Sequence, residues 1–74
     1  MKKISQKLLS RIIKNNREKT NLSQIELANK TGINRAMISK IESGKYMPSI
    51  EQLEILEETL NFSIEDVLVD DEIK

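Results

Sequence analysis

Seventy-four residues with no cysteine and no histidine make one small domain, able to bury about 60% of its unfolded surface. They exclude disulfides, thiol nucleophiles, structural zinc and the usual neutral-pH general base, so no metal, cofactor or catalytic cleft is expected. The formal net charge is zero, but it is segregated along the chain. Residues 1–46 carry eleven basic side chains against Glu18, Glu26 and Glu42, a balance of +8, and residues 47–74 carry Lys74 against nine carboxylates, a balance of −8. Such a division suggests a basic face for phosphate and an acidic face turned away; the plainer alternative is solvated helices that carry charge of either sign. No apolar run approaches the roughly 18 residues of a membrane span, and the N-terminal stretch is too polar for a signal peptide, so the expected compartment is the cytoplasm.

The chain reads as five helices and no strand. The first is expected over residues 4–19, with Leu9 and Ile13 as its apolar stripe and Leu8 and Ile12 flanking it. Leu22 closes the connection. Ser23 followed three residues later by Glu26 is a capping box, so a second helix begins near Gln24, carries Ile25, Leu27 and Ala28, and stops at Gly32. Asn34 can cap a third helix, in which Ile38 and Ile41, with Ile33 just ahead, form a face to pack on Leu27 and Ala28. Two helices crossing steeply through so short a turn bring their backbones close, and a small residue such as Ala28 has to sit at the contact. Gly44 ends the segment, and Lys45, Tyr46 and Met47 form a loop stopped by Pro48. Ser49 caps a fourth helix with Gln52 as its reciprocal partner, and Ile50, Leu53, Leu56 and Leu60 line one side of it. Ser63 can cap a short fifth helix with Ile64, Val67 and Leu68 inward and Phe62 plugging the core. The domain is expected to span residues 1–69. Residues 69–74 are acidic and read as a frayed end, with 70–74 as a separate short tail.

Residues 22–44 thus fit a helix-turn-helix, a unit that presents its second helix to DNA. The pattern extends further: Arg17, LSQ at 22–24, ELA at 26–28, Gly32 and Ile33, IS at 38–39, IE.G ending at Gly44, and PS..QL..L...LNFS over 48–63. With these motifs nearly the whole chain resembles the Cro and lambda-repressor-like helix-turn-helix proteins, also called the xenobiotic-response-element family. The resemblance implies an all-α, five-helix domain whose helix-turn-helix is formed by helices 2 and 3. It implies binding to double-stranded DNA as a two-fold homodimer, with helix 3 in the major groove and half-sites roughly 34 Å apart.

Carried onto this sequence, the resemblance makes Gln24 a phosphate-holding residue at the start of helix 2, or simply its first helical residue. Arg35, Ala36, Ser39 and Lys40 match base-facing and backbone-facing positions. Arg35 can donate two bonds to guanine O6 and N7, or it positions the protein on phosphate. Ala36 and Met37 can meet a thymine methyl, with Met37 alternatively packing at the rim. Lys40 and Lys45 suit phosphate, Asn34 is a cap or a backbone contact, and Tyr46 reaches the sugar-phosphate or covers the loop. Arg17 and Glu42 match a family pair joining helix 1 to the end of helix 3, against the alternative of two solvated charges. Ile55, Ile64 and Val67 are candidates for a dimer interface or for ordinary core.

Three residues depart from the family pattern: Asn16 where an apolar residue is usual, Glu57 where a small alanine is usual, and Thr31, more polar than the usual residue before the turn glycine. A hydrogen bond between Asn16 and Glu57 is one expectation. The functional expectation is a stand-alone, sequence-specific transcriptional regulator, a repressor or controller acting on a palindromic operator. Two other classes stay open: a DNA-binding antitoxin whose acidic end, with Asp70, Asp71 and Glu72, clamps a basic protein partner, and a protein-interaction module that has lost DNA binding. An enzyme is the least expected class, since no carboxylate pair, activated nucleophile or phosphate-cradling glycine loop is present.

Overall fold

A computed structural model describes residues 2–70, with side chains from Ile4 to Glu65. Four α-helices form its body: α1 (Gln6–Lys19), α2 (Gln24–Thr31), α3 (Arg35–Glu42) and α4 (Ile50–Leu60). Where a fifth helix was expected there is a single 3-10 turn, Ile64–Val67. Short strands β1 (Lys2–Ile4) and β2 (Leu68–Asp70) pair antiparallel, with Ile4 opposite Leu68 and Lys2 opposite Asp70. The expectation of no strand is therefore corrected at the two ends of the chain. Ser5 starts α1 by accepting from the Leu8 N–H at 3.2 Å, which leaves Ile4 outside the helix and free to pair with the other end of the chain. Residues 69 and 70, expected to fray, belong to this ribbon. The tail beyond Asp70, the side chains of Val67 and Asp70, and Asp71 and Glu72 altogether, lie outside the described residues.

Each α-helix begins on a short polar side chain. Ser23 and Glu26 form the capping box at α2, and Ser49 and Gln52 the one at α4. Asn34 Oδ1 accepts from the Met37 N–H at 2.8 Å to start α3. Each also ends on a residue with positive φ. Gly32 (φ 77°) closes α2 by donating to the Ala28 carbonyl. α1 and α3 close with paired bonds from the positive-φ residue and the one after it, a Schellman arrangement, whereas at α4 the two corresponding N–H groups share one carbonyl. At α1 the positive-φ residue is Asn21 (φ 60°), and Leu22 N donates to Arg17 O at 3.1 Å. At α3 it is Gly44 (φ 77°), and Lys45 N donates to Lys40 O at 2.8 Å. At α4 it is Asn61 (φ 58°), and Phe62 N donates to Glu57 O at 3.2 Å. Asparagine tolerates this conformation better than other residues bearing a Cβ.

The core is aliphatic. Leu9 and Ile13 of α1, Leu27 of α2, Ile33 of the turn, Ile38 and Ile41 of α3, and Leu53, Leu56 and Leu60 of α4 are buried together. Leu8, Ile12, Leu22, Ala28, Phe62 and Ile64 pack around them, half-buried. α3 and α4 each pack on both α1 and α2. Ile50, expected on the apolar side of α4, is instead 67% exposed, because as the first helical residue it precedes the stripe that begins at Leu53. Asn16 and Glu57 do not bond to one another. Asn16 Nδ2 donates to its own helix at Ile12 O (2.8 Å), and Glu57 Oε2 accepts from Ile64 N (2.7 Å), holding the 3-10 turn against α4.

Thr31 is buried and satisfied. Its Oγ1 donates to Leu27 O at 2.8 Å and accepts from the Ile33 N–H at 3.2 Å, so it stitches the end of α2 to the turn. Replacing it with the isosteric Thr31→Val keeps the volume but strands the buried Ile33 N–H. The expected loss is about 1 to 3 kcal/mol of stability, read as a lower urea midpoint at constant slope.

Candidate nucleic-acid interface

α3 has two distinct faces. Ile38 and Ile41 are buried in the core, while Arg35, Ala36, Ser39 and Lys40 are exposed. This follows from helical spacing: with the inward face pinned by Ile38 and Ile41, residues 35, 36, 39 and 40 fall on the outer side. Met37 stands at the boundary, half-buried and packed against the core. The acidic α4, with Glu51, Glu54 and Glu58 exposed, packs on α1 and α2 and does not run along this outer face.

At the N-terminal end of α3, Asn34 is exposed and its side-chain oxygen is engaged as a cap. Beyond the C-terminal end, Lys45 is exposed, with its backbone N–H tied back to Lys40 O. Tyr46 is half-buried against the core, and its hydroxyl lies 3.5 Å from Gln52 Oε1, the same oxygen that accepts from Ser49 N. Among the residues considered for an interface between copies, Ile55 is 38% exposed and Ile64 packs on the core; the Val67 side chain lies outside the described residues.

The orientation of α3 rests on a polar junction. Arg17 Nε donates to Glu42 Oε2 at 2.7 Å and Nη2 to Glu42 Oε1 at 3.1 Å, a bidentate pair. Arg17 Nη1 donates to the Leu22 carbonyl at 2.7 Å, so the same guanidinium grips the chain just before α2. Gln24 Nε2 adds a bond to Glu42 Oε1 at 3.1 Å. The pair is 11% and 4% exposed, and one ion pair thereby joins α1, the α2 entry and α3. The hydrogen bond to Glu42 raises the Arg17 pKa above its ordinary value, against the opposing effect of burial, with further support from the charges of Glu42 and Glu18. A raised folded-state pKa on a cation gives a stabilisation that this group loses only as pH climbs through that value, so the junction does not titrate through Arg17 near neutrality.

Gln24 therefore differs from a free phosphate ligand: half-buried, it has one amide N–H committed to Glu42 and its second N–H available. Sequence reasoning did not find this bond, nor the Arg17 bond to Leu22, because both depend on how close the crossing helices come. It also passed over Lys14, which lines a recess of about 210 Å³ with Gln24, Ser39, Glu42 and Ser43. The available signal was its position three residues before Arg17, on the neighbouring stripe of α1.

A family model described as helix-turn-helix matches residues 13–67. An uncharacterized HTH-type transcriptional regulator of Archaeoglobus fulgidus is 40% identical over 60 residues, covering 81% of this chain and 84% of that protein. The crystal structure of an HTH_3 family transcriptional regulator from Vibrio cholerae superposes with a TM-score of 0.72 at 30% identity over 80% of this chain, which spans only 33% of that one. The restriction-modification controller protein C.Esp1396I, solved as a tetramer in complex with its natural 35 base-pair operator, matches at a TM-score of 0.71 and 31% identity, covering 78% of this chain and 76% of that chain.

Removing one partner of the junction leaves a buried charge without compensation. Glu42→Ala is expected to cost roughly 3 to 5 kcal/mol. Arg17→Ala combined with Glu42→Ala should cost clearly less than the sum of the two single changes, because the double variant buries no orphan charge. Urea denaturation of the three variants reads this directly, and additive losses would sink the coupling.

Proposed function

Because the chain belongs to the helix-turn-helix family, a family of DNA-binding transcriptional regulators, we propose that it is a sequence-specific regulator that reads duplex DNA with the outer face of α3 and acts as a two-fold dimer, a repressor or controller of a nearby promoter. The observation that carries this reading is the exposed row Arg35, Ala36, Ser39 and Lys40 on a helix whose opposite face is locked into the core by Ile38 and Ile41. A rigid inner face lets the outer side chains hold one register in the major groove. Arg35 stands in the first turn of α3, where a guanidinium can donate to guanine O6 and N7. Ala36 leaves room for a thymine methyl, and Ser39 and Lys40 extend the row toward base edges and phosphate.

Around that row, Lys45 and the free N–H of Gln24 suit backbone phosphates, and the first N–H groups of α2 add their dipole. A single module of this size makes few phosphate contacts, so pairing on a two-fold operator brings it to useful affinity. The operator-bound tetramer of the controller protein C.Esp1396I supports such an arrangement. In this dimer Ile55, an exposed apolar side chain on α4, is a candidate to meet its twin.

Selection from a random duplex pool is expected to return a palindrome with half-sites about one helical turn apart, roughly 34 Å. Arg35→Ala should weaken binding to that site by about 1 to 3 kcal/mol and relax the preference at one symmetric base pair. A pool that shows no enrichment even at low salt would overturn the proposal.

A further inference from the structure

α1 is fastened to the end of α3 along one edge. Gln6 Nε2 donates to the Gly44 carbonyl at 2.8 Å, Ser10 Oγ lies beside Gly44, and Arg17 holds Glu42. At 3.6 residues per turn, Gln6, Ser10 and Arg17 fall on one narrow strip. On one side of that strip α1 turns into the core at Ile13 and Leu9. On the other side the next residues round are Lys14 and then Lys7, both exposed and neither with an ion-pair partner among the described residues. The helix thus sets one ammonium group, Lys14, beside the junction that carries α3, and a second, Lys7, two turns back along the same edge.

Lys14 closes the recess it shares with Gln24, Ser39, Glu42 and Ser43, so α1, α2 and α3 all contribute to it. The one carboxylate there, Glu42, is neutralised by Arg17, and its oxygens accept three bonds from Arg17 and Gln24. An anion entering the recess therefore meets the Lys14 ammonium, the Ser39 and Ser43 hydroxyls and the start of α2, with little net repulsion. Lys7 stands seven residues back on the same stripe, about 10 Å along the axis, far enough to meet a separate anion.

We propose that α1 is part of the DNA-contacting surface, with Lys14 and Lys7 holding backbone phosphates that flank the segment read by α3. This rests on the DNA-binding reading above and extends it to a helix outside the helix-turn-helix. The two lysines add affinity and salt dependence without reading sequence, because phosphate contacts are the same at every base pair.

The test compares three forms of the full chain on the duplex recovered by selection: wild type, the double variant Lys7→Gln with Lys14→Gln, and a control double variant, Lys19→Gln with Lys30→Gln, which removes two exposed charges elsewhere. Affinity is measured from about 50 to about 200 mM salt. Each lost phosphate contact lowers the slope of log affinity against log salt by about 0.9, and a two-fold dimer of the first double variant loses four such contacts, so across that range it should lose roughly 100-fold less affinity than wild type. Its ranking of base substitutions in the site should be unchanged, and the control should keep the wild-type slope. A wild-type slope in the Lys7 and Lys14 variant overturns the proposal, as does an equal fall in the control, which would mark a bulk charge effect. Failure of the wild type itself to bind any duplex at low salt overturns the DNA-binding reading, and the α1 contacts with it.

Discussion

The Arg17 guanidinium is the constraint on which the geometry of the candidate surface depends. A planar fork with five N–H groups can satisfy several acceptors at fixed angles, and here it takes both oxygens of Glu42 and the Leu22 carbonyl at once. The first acceptor lies at the C-terminal end of α3 and the second at the entrance to α2. The aliphatic core alone would tolerate rotation of α3 about its axis or small sliding along α2, since apolar contact is not directional. A bidentate, nearly dry ion pair does not tolerate either. Its net contribution to stability is small beside the cost of leaving one partner alone.

From that junction the surface follows. Gln24 is drawn toward Glu42, which fixes how the start of α2 faces solvent. Gly44 gives α3 a tight Schellman ending, and the carbonyl it presents is taken by Gln6, so the loop carrying Lys45 is tied back to α1. Thr31 stitches the other end of the turn through Leu27 and Ile33. The exposed row on α3 is therefore held at both ends by polar contacts and along its back by Ile38 and Ile41. A domain with so small a core gains precision from these directional contacts, which hydrophobic burial could not supply alone.

Much of this was legible in the sequence because the signals are local. Ser23 with Glu26 and Ser49 with Gln52 each read as a cap within four residues, and the structure forms both. Gly32 and Gly44 read as stops because they lack a Cβ, and both take positive φ. Asn21 and Asn61 end helices in the same way, but asparagine is equally common in caps and turns of other kinds, so its presence does not announce a left-handed residue. Ile50 was misassigned because helical periodicity describes a stripe and does not say at which residue the stripe begins. The 3-10 turn stands where a fifth helix was expected, in a segment that packs on α1 and whose Ile64 N–H is taken by Glu57, ties that spacing along the chain cannot reveal. The same holds for the terminal ribbon, whose partners lie at opposite ends of the chain.

By itself the sequence determined the helix-forming segments of the body, their caps, the aliphatic positions that meet in the core, the separation of charge between the two halves, and the family. These depend on neighbours within one or two turns or on composition, which the chain carries without reference to its fold. Only the tertiary structure decided that Arg17 grips two segments at once, that Gln24 divides its amide between Glu42 and solvent, that Asn16 and Glu57 bond elsewhere, and that Lys14 faces the same recess as Ser39 and Ser43. Each of these turns on distances of about 3 Å between groups on different helices, and such distances are set by how the helices cross, a property no single segment contains.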